Sequence, residues 1–79
     1  MTIEQKQLLY EIATWHSKEF YNRMEDHWTS ANFDFDSECL RNIERLEAKY
    51  IDTYGALPEW ETINAVWDTM ENLKKELGI

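Results

Sequence analysis

The sequence predicts an all-α protein, a small antiparallel bundle of three helices that forms one domain over residues 1–79. Apolar residues recur at spacings of three and four along most of the chain, which is the period of an amphipathic helix. Runs of β-branched residues and strict alternation of apolar and polar residues, both typical of strands, are missing. Gly and Pro, the residues that most often interrupt helices, occur only at Gly55, Pro58 and Gly78.

The first predicted helix covers residues 3–30. Thr2 is a suitable N-cap, and the Gln three residues later completes the pattern of a capping box. The apolar stripe of this helix is broad, which indicates contact with two neighbours, or with one neighbour and a partner. Because about 28 residues correspond to roughly 42 Å of helix, the helix is expected to kink or to project beyond the others. A projecting end would expose Leu8, Leu9 and Ile12, so a homodimer is predicted in which a second copy covers them.

The second predicted helix covers residues 36–54, with Asp36 as its N-cap and Gly55 just after its last residue. The break before it is expected within residues 30–36, where Ser, Asn and Asp cluster. The third predicted helix covers residues 58–77, because Pro is favoured in the first turn of a helix. Short connections favour antiparallel neighbours, so the expected topology is up-down-up.

Acidic residues dominate the charge of the chain, with 16 Asp and Glu against 8 Lys and Arg, and a net charge of -8. Ten of the acids lie in two blocks that contain no Lys or Arg, residues 24–40 and residues 50–73. Some of these acids suit helix N-termini, where negative charge is favourable. The others indicate either a face that only confers solubility or a face that binds a basic partner. Direct binding of nucleic acid is not expected, because phosphate contacts require Lys and Arg.

The residues expected to bind such a partner are acids of these blocks and two aromatic residues that a bundle of this size would leave partly exposed. They are Glu25, Asp26, Asp34, Glu59, Glu61, Asp68, Glu71, Trp28 and Phe33. Aromatic rings beside carboxylates suit a protein partner that carries Arg, through aromatic anchors and charge together. Tyr10 and Tyr21 are also expected to be partly exposed. Four further aromatic residues fit the core stripes, namely Phe20, Tyr50, Trp60 and Trp67.

A second hypothesis concerns three basic residues, Arg41, Arg45 and Lys49, which recur at every fourth position and form one positive stripe on the second helix. Pairing with the neighbouring Glu38, Glu44 and Glu47, or with acids across the bundle, is the ordinary explanation, and such exposed pairs contribute about 0.2–1 kcal/mol each. The alternative is a helical oligomer that binds a small anionic ligand, such as a nucleotide, at this stripe.

Histidine, cysteine and serine residues form no catalytic pattern. His16 and His27 lie too far apart to share a metal ion, and both are expected to be partly buried structural residues. Cys39 is the only cysteine, which excludes an internal disulfide, and a buried apolar role is expected for it. Residues 34–38 resemble the start of a calcium loop but lack the later glycine and glutamate that such a loop requires. The sequence therefore predicts no catalytic residue, no metal site and no cofactor.

The leading functional hypothesis is a small acidic, non-enzymatic module that binds another protein, with a basic nucleic-acid-binding protein as the expected partner. One version is an inhibitor that mimics DNA, with carboxylates in place of phosphates. Size, charge and the lack of catalytic motifs resemble the general character of small inhibitors from phages and mobile elements. A structural subunit of an assembly is a further alternative. The chain has no signal-peptide pattern and no membrane-spanning run, so a cytoplasmic protein without membrane contacts is expected.

Overall fold

The computed structural model describes all 79 residues and contains three α-helices and no strand. Helix α1 spans Ile3–Arg23, α2 spans Ser30–Tyr54 and α3 spans Ile63–Leu77. The prediction of an all-α bundle of three helices is therefore confirmed. Helix α1 lies in the middle and packs against both α2 and α3, whereas α2 and α3 do not approach each other. None of the three helices combines the length and the apolar character that crossing a membrane requires.

The hydrophobic core is built around α1, whose broad apolar stripe contacts both neighbouring helices. Six buried residues form one contiguous cluster, namely Leu8, Leu9, Ile12, Leu46, Tyr50 and Leu73. The three members from α1, which a projecting helix would have exposed, are at most 8% exposed. The reason for expecting a homodimer is therefore removed, and the homodimer itself stays a prediction.

Aromatic residues surround this core more than they fill it. Of the four that fit the core stripes, only Tyr50 is buried, while Phe20, Trp60 and Trp67 are half-buried. A chain of this length encloses too small a volume to remove so many large rings from water. Ring surface therefore remains exposed along the grooves between the helices.

Helix α1 ends at Arg23 and not at residue 30. Two carboxylates explain the earlier end, because Glu25 and Asp26 are unfavourable at the negatively polarised C-terminus of a helix. At the other end the predicted cap is confirmed, since Thr2 Oγ1 accepts a hydrogen bond from the backbone N–H of Gln5 at 3.1 Å. The helix remains long, with 21 residues, but it is shorter than α2, which has 25.

Helix α2 begins directly after Thr29, which is its N-cap in place of the predicted Asp36. The side-chain oxygen of Asn32 accepts hydrogen bonds from the backbone N–H and the hydroxyl of Thr29, both at 3.0 Å. Its amide nitrogen donates to Asn22 Oδ1 at 2.9 Å, and the Asn22 amide donates to the backbone oxygen of Asn32 at 3.0 Å. This Asn22–Asn32 pair links the end of α1 to the start of α2. Residues 30–36, expected to separate the two helices, therefore lie inside α2.

Residues 55–62, called the crossover segment below, form an extended connection that includes Pro58, so the third helix does not start there. Helix α3 begins after Thr62, whose hydroxyl accepts a hydrogen bond from the backbone N–H of Ala65 at 3.2 Å. Gly55 starts the segment with a φ of 97°, which favours glycine. The residue before a proline is disfavoured in the helical conformation, which keeps this stretch extended.

The crossover segment changes the expected topology. Helix α2 ends beside the start of α1, where the Gln5 amide donates to the Tyr50 hydroxyl at 3.0 Å. Helix α3 also ends there, because Lys6 and Glu76 form an ion pair at 3.6 Å. Both packed pairs are thus antiparallel, as predicted, but α2 and α3 run in the same direction. The order is up-down-down, and the prediction of up-down-up is wrong.

Trp60 holds the crossover segment between the helices. Its indole N–H donates to the Thr69 hydroxyl of α3 at 3.0 Å, and its ring meets the His16 ring of α1 edge-on at a centroid distance of 5.7 Å. His16 in turn lies 3.3 Å from Glu47 of α2. Leu57 of the same segment packs against the core cluster. The segment therefore occupies the groove over α1 that α2 and α3 leave between them.

Candidate functional site at the acidic end of the bundle

The topology brings the first acidic block and the second block from Glu59 onward to one end of the molecule. Arg23, the last residue of α1, lies 3.7 Å from Asp36 of α2 and lines one cleft with Glu61 and Ile63 at the start of α3. The end of α1 thus meets the starts of both other helices. In an up-down-up bundle, the start of α3 would have lain at the opposite end from the first acidic block.

We call residues 17–40 and 59–71 the acidic end. They include ten Asp and Glu but only two basic residues, which is a net charge of -8. The rest of the chain has six acids and six bases and is neutral by the same count. All the net negative charge of this protein therefore lies in its acidic end.

The seven acids predicted to bind a partner are all exposed, and none of them lies within 4.0 Å of a basic nitrogen. They lie in the connection between α1 and α2 (Glu25, Asp26), in α2 (Asp34), in the crossover segment (Glu59, Glu61) and in α3 (Asp68, Glu71). In the whole chain, only four of the sixteen acids have such a basic neighbour, namely Glu19, Asp36, Glu47 and Glu76. The expected surplus of unpaired carboxylates is present.

One partly buried charge network underlies the acidic end. Arg23 Nη2 lies 2.5 Å from Glu19 Oε1, and Arg23 Nε lies 3.7 Å from Asp36 Oδ1. Glu19 is only 9% exposed, and Asp36 Oδ1 is buried without a hydrogen-bond partner. Because one guanidinium faces two carboxylates, the network keeps a net negative charge and adds to the field of the acids around it.

Cys39 of α2 is fully buried near this network, and its expected buried role is confirmed. Burial raises the pKa of its thiol, and the carboxylates of Glu19, Asp36 and Glu38 raise that pKa further. The predicted helix start at residue 36 would place Cys39 in a first turn, but α2 begins at Ser30, so the thiol lies well inside the helix. A buried, protonated thiol is a poor nucleophile.

Two pairs of aromatic rings lie among the acids. Trp28 and Phe33 meet edge to face with centroids 4.9 Å apart, and Phe33 is 62% exposed. Tyr21 stacks on Trp67 with centroids 5.7 Å apart and planes inclined by 24°, and Tyr21 is 57% exposed. Tyr10 is half-buried. The partial exposure expected from the sequence is thus observed, and the binding role of Trp28 and Phe33 stays a prediction.

The stacked pair forms part of a notch between α1 and α3, called the aromatic notch below. Its volume is about 300 Å³, and it is lined by Ser17, Tyr21, Trp67, Met70 and Glu71. The Trp67 indole N–H donates to the Ser17 hydroxyl at 3.0 Å, which fixes the orientation of the ring. The i, i+4 spacing of Trp67 and Glu71 on one helix is the signal in the sequence for this pairing of ring and carboxylate. The two residues that α1 contributes to the notch, Ser17 and Tyr21, reach it only through tertiary packing, so no pattern in the sequence indicates them.

The basic stripe on α2 is exposed, and none of Arg41, Arg45 and Lys49 pairs with an acid. The predicted pairing with neighbouring glutamates is therefore wrong. Lys49 lines a cleft of about 280 Å³ together with Glu4 and Glu11. Two carboxylates in that cleft would repel an anion. The geometry does not favour a nucleotide there.

The residues considered as metal ligands are dispersed. His16 is half-buried against Glu47, as expected of a structural histidine. His27 is exposed, and its predicted burial is wrong because α1 ends before it. Residues 34–38 lie inside α2, and a helix cannot form a calcium loop. No group of three or more His, Cys, Asp or Glu side chains is placed to hold a metal ion.

The chemistry that the acidic end offers is recognition of positive charge. Its exposed carboxylates and aromatic rings both attract cations. Comparison of the chain with protein-family models, with curated proteins and with solved structures finds no match. Its function is therefore inferred from the residues of the acidic end.

Proposed function

We propose that this chain is a small acidic module that binds a basic protein through its acidic end and inhibits that protein by occupying a groove meant for nucleic acid. The observation that carries this proposal is the segregation of charge. The acidic end has a net charge of -8 while the rest of the chain is neutral. Acids that served only solubility could be spread over the whole surface, whereas acids that bind one partner have to lie together on one face.

The density of charge is of the right order for DNA mimicry. The bundle is 40 Å long and 24 × 23 Å across. Duplex DNA carries one negative charge per roughly 1.7 Å of its axis, so about fourteen phosphates span the width of the bundle. The acidic end presents eight exposed carboxylates over that width, because Glu19 and Asp36 are less exposed and pair with Arg23. A groove with enough Lys and Arg to bind DNA would therefore find more than half of that charge on this surface.

Exposed aromatic rings support binding of a protein partner. Trp28, Phe33 and Tyr21 lie among the acids, and aromatic residues are enriched at the energetic centres of protein interfaces. Carboxylates alone would give fast but weak, salt-sensitive association. Rings beside them add apolar area that salt does not screen, which suits an inhibitor that must stay bound.

The test compares two variants with the same change in net charge. The first neutralises four exposed acids of the acidic end, namely Glu25→Gln, Asp26→Asn, Asp68→Asn and Glu71→Gln. The matched control neutralises four exposed acids outside it, namely Glu4→Gln, Glu11→Gln, Glu44→Gln and Asp52→Asn. Each immobilised protein is incubated with cell lysate at 50 and at 500 mM NaCl, with and without duplex DNA as a competitor.

We expect the wild type and the control to capture the same basic, DNA-binding protein at 50 mM NaCl, and the acidic-end variant to lose it. Duplex DNA should displace this protein, because both ligands would occupy one groove. The purified partner should lose its own DNA binding when the wild-type chain is added. Equal capture by the two variants, or capture that DNA does not reduce, would contradict the proposal.

A further inference from the structure

The aromatic notch combines three groups that favour one kind of side chain. Tyr21 and Trp67 form a stack whose ring planes are inclined by 24°, and Tyr21 keeps 57% of its surface exposed. Glu71, one turn along α3 from Trp67, is exposed and lines the same notch. Flat aromatic surface attracts a cation through its π electrons, and a carboxylate pairs with it directly.

We propose that the aromatic notch holds an arginine side chain of the basic partner. The guanidinium group lies against the Tyr21–Trp67 stack, and its N–H groups donate to the Glu71 carboxylate. This inference rests on the proposed function and names the contact that the partner makes. The volume of about 300 Å³ is at the lower limit of ligand pockets, so the notch has room for one side chain but not for a folded element.

No cation of the chain itself occupies this position. Lys75 is four residues after Glu71, yet no basic nitrogen lies within 4.0 Å of the Glu71 carboxylate. Lys18, the residue after Ser17, places its Nζ over the Trp15 ring at 4.4 Å from the centroid. The carboxylate is therefore available to an incoming group.

Arginine suits the notch better than lysine does. The guanidinium is planar, so it can stack on a ring and still direct two N–H groups at a carboxylate. An ammonium group is compact and strongly hydrated, and it gains less from a flat ring. The hydrogen bond from the Trp67 indole to Ser17 holds the ring in place before the ligand arrives, which lowers the cost of ordering it.

The probe is Nα-acetyl-arginine amide, titrated into the full chain and followed by the NMR signal of the Trp67 indole N–H. Two analogues serve as comparisons, the lysine amide with its compact charge and the citrulline amide with the same shape but no charge. We expect saturable shifts at Trp67 and Ser17 with the arginine amide. The lysine amide should bind several-fold more weakly, and the citrulline amide at least tenfold more weakly.

Variants then assign the contacts. Glu71→Gln keeps the size of the side chain and should weaken the arginine amide about tenfold, which corresponds to about 1.4 kcal/mol. Tyr21→Ala should weaken it several-fold without changing the charge. Glu44→Gln, an exposed acid on α2, is the control and should bind as the wild type does. Equal affinity of the three variants, or equal affinity for the arginine and citrulline amides, would overturn the inference.

The same variants separate this inference from the proposed function. Suppose that the captured partner is lost by the four-acid variant but is retained fully by Tyr21→Ala. The acidic end then binds its partner, and the arginine contact in the notch is wrong. Loss of the partner with both changes supports the inference. Failure of the wild type to capture any basic protein contradicts the proposed function alone, because binding of the arginine amide is measured independently.

Discussion

At the scale of single residues, Cys39 shows how its surroundings set the chemistry of a side chain. The thiol is fully buried, and three carboxylates nearby make ionisation more costly still. A cysteine near the N-terminus of a helix is usually more acidic than a free thiol. Here α2 begins at Ser30, so that effect does not reach Cys39, and burial together with like charge dominates.

The pKa of Cys39 predicts a loss of stability at alkaline pH. Because the pKa is raised in the folded state, the stabilising contribution is complete below the ordinary value of 9.0 and is lost as the pH rises through the folded pKa. Urea unfolding at pH 7.5, 9 and 10 should show a steeper decline for the wild type than for Cys39→Ala. Parallel pH profiles of the two proteins would exclude this role of the thiol.

Asn22 and Asn32 make the most connected polar contact between α1 and α2. Replacing Asn32 with Ala removes its bonds to Thr29 and leaves Oδ1 of Asn22, a residue that is only 9% exposed, without its donor, although the Asn22 amide still donates to the backbone oxygen of residue 32. An unpaired buried polar group costs about 1–3 kcal/mol, and we expect Asn32→Ala to lower the free energy of unfolding by that amount. Asn42→Ala is the control, because both hydrogen bonds of the Asn42 side chain, one donated to Glu38 O and one accepted from Arg45, are exposed. A loss of under 0.5 kcal/mol (about the size of a surface effect) for Asn32→Ala would contradict this expectation.

At the scale of the helices, hydrophobic periodicity predicts each helix well, while its ends depend on contacts that periodicity does not contain. The α1 stripe continues in the sequence past Arg23, so residues 24–30 look helical by spacing alone. The carboxylates of Glu25 and Asp26 oppose that continuation. Thr29 and Asn32 cap α2, with an Asn where a capping box usually has Glu or Gln. Local chemistry therefore outweighs the apolar period at this boundary.

The position at which α3 starts can be tested by comparing variants of two residues. Thr62 caps the helix, whereas Pro58 lies in the extended crossover segment. Thr62→Ala should lower the free energy of unfolding by about 0.5–2 kcal/mol, as for other lost N-caps. Pro58→Ala should cost less than about 1 kcal/mol, through the greater freedom of the unfolded chain. Chemical denaturation measures both, and a larger loss for Pro58→Ala would place the helix start at Pro58.

At the scale of the whole molecule, the path of the chain creates the charge asymmetry. The crossover segment carries the chain back along α1, so the start of α3 lies beside the end of α1 and the start of α2. The two acidic blocks are separated in the sequence by a stretch that includes Arg41, Arg45 and Lys49. None of these three residues forms an ion pair with an acid, so the stretch does not neutralise the acids of the acidic end.

Mutual repulsion within the acidic end predicts a dependence of stability on salt. The four-acid variant of the acidic end should melt at a higher temperature than the wild type in 20 mM NaCl, because four like charges are removed from a crowded surface. The matched control should gain less, since its region is neutral. Screening at 500 mM NaCl, where the Debye length is only about 4 Å, should remove most of the difference. Equal melting temperatures of the two variants at low salt would show that the acids do not repel one another.

The sequence by itself determines the number of helices, the apolar faces that form the core and the surplus of unpaired acids, because these follow from local spacing and composition. It also indicates that several aromatic residues stay partly exposed, since a short chain cannot enclose them all, but not which ones, because Phe20, Trp60 and Trp67 fit the core stripes and yet are half-buried. Tertiary structure decides where α1 ends, that α2 and α3 run in the same direction, and that the acids from Glu59 to Glu71 lie beside the first acidic block. The physical reason is that residues 55–62 are compatible with either a tight turn or an extended crossover. The choice depends on contacts of Trp60 with His16 and Thr69, which no local pattern reveals.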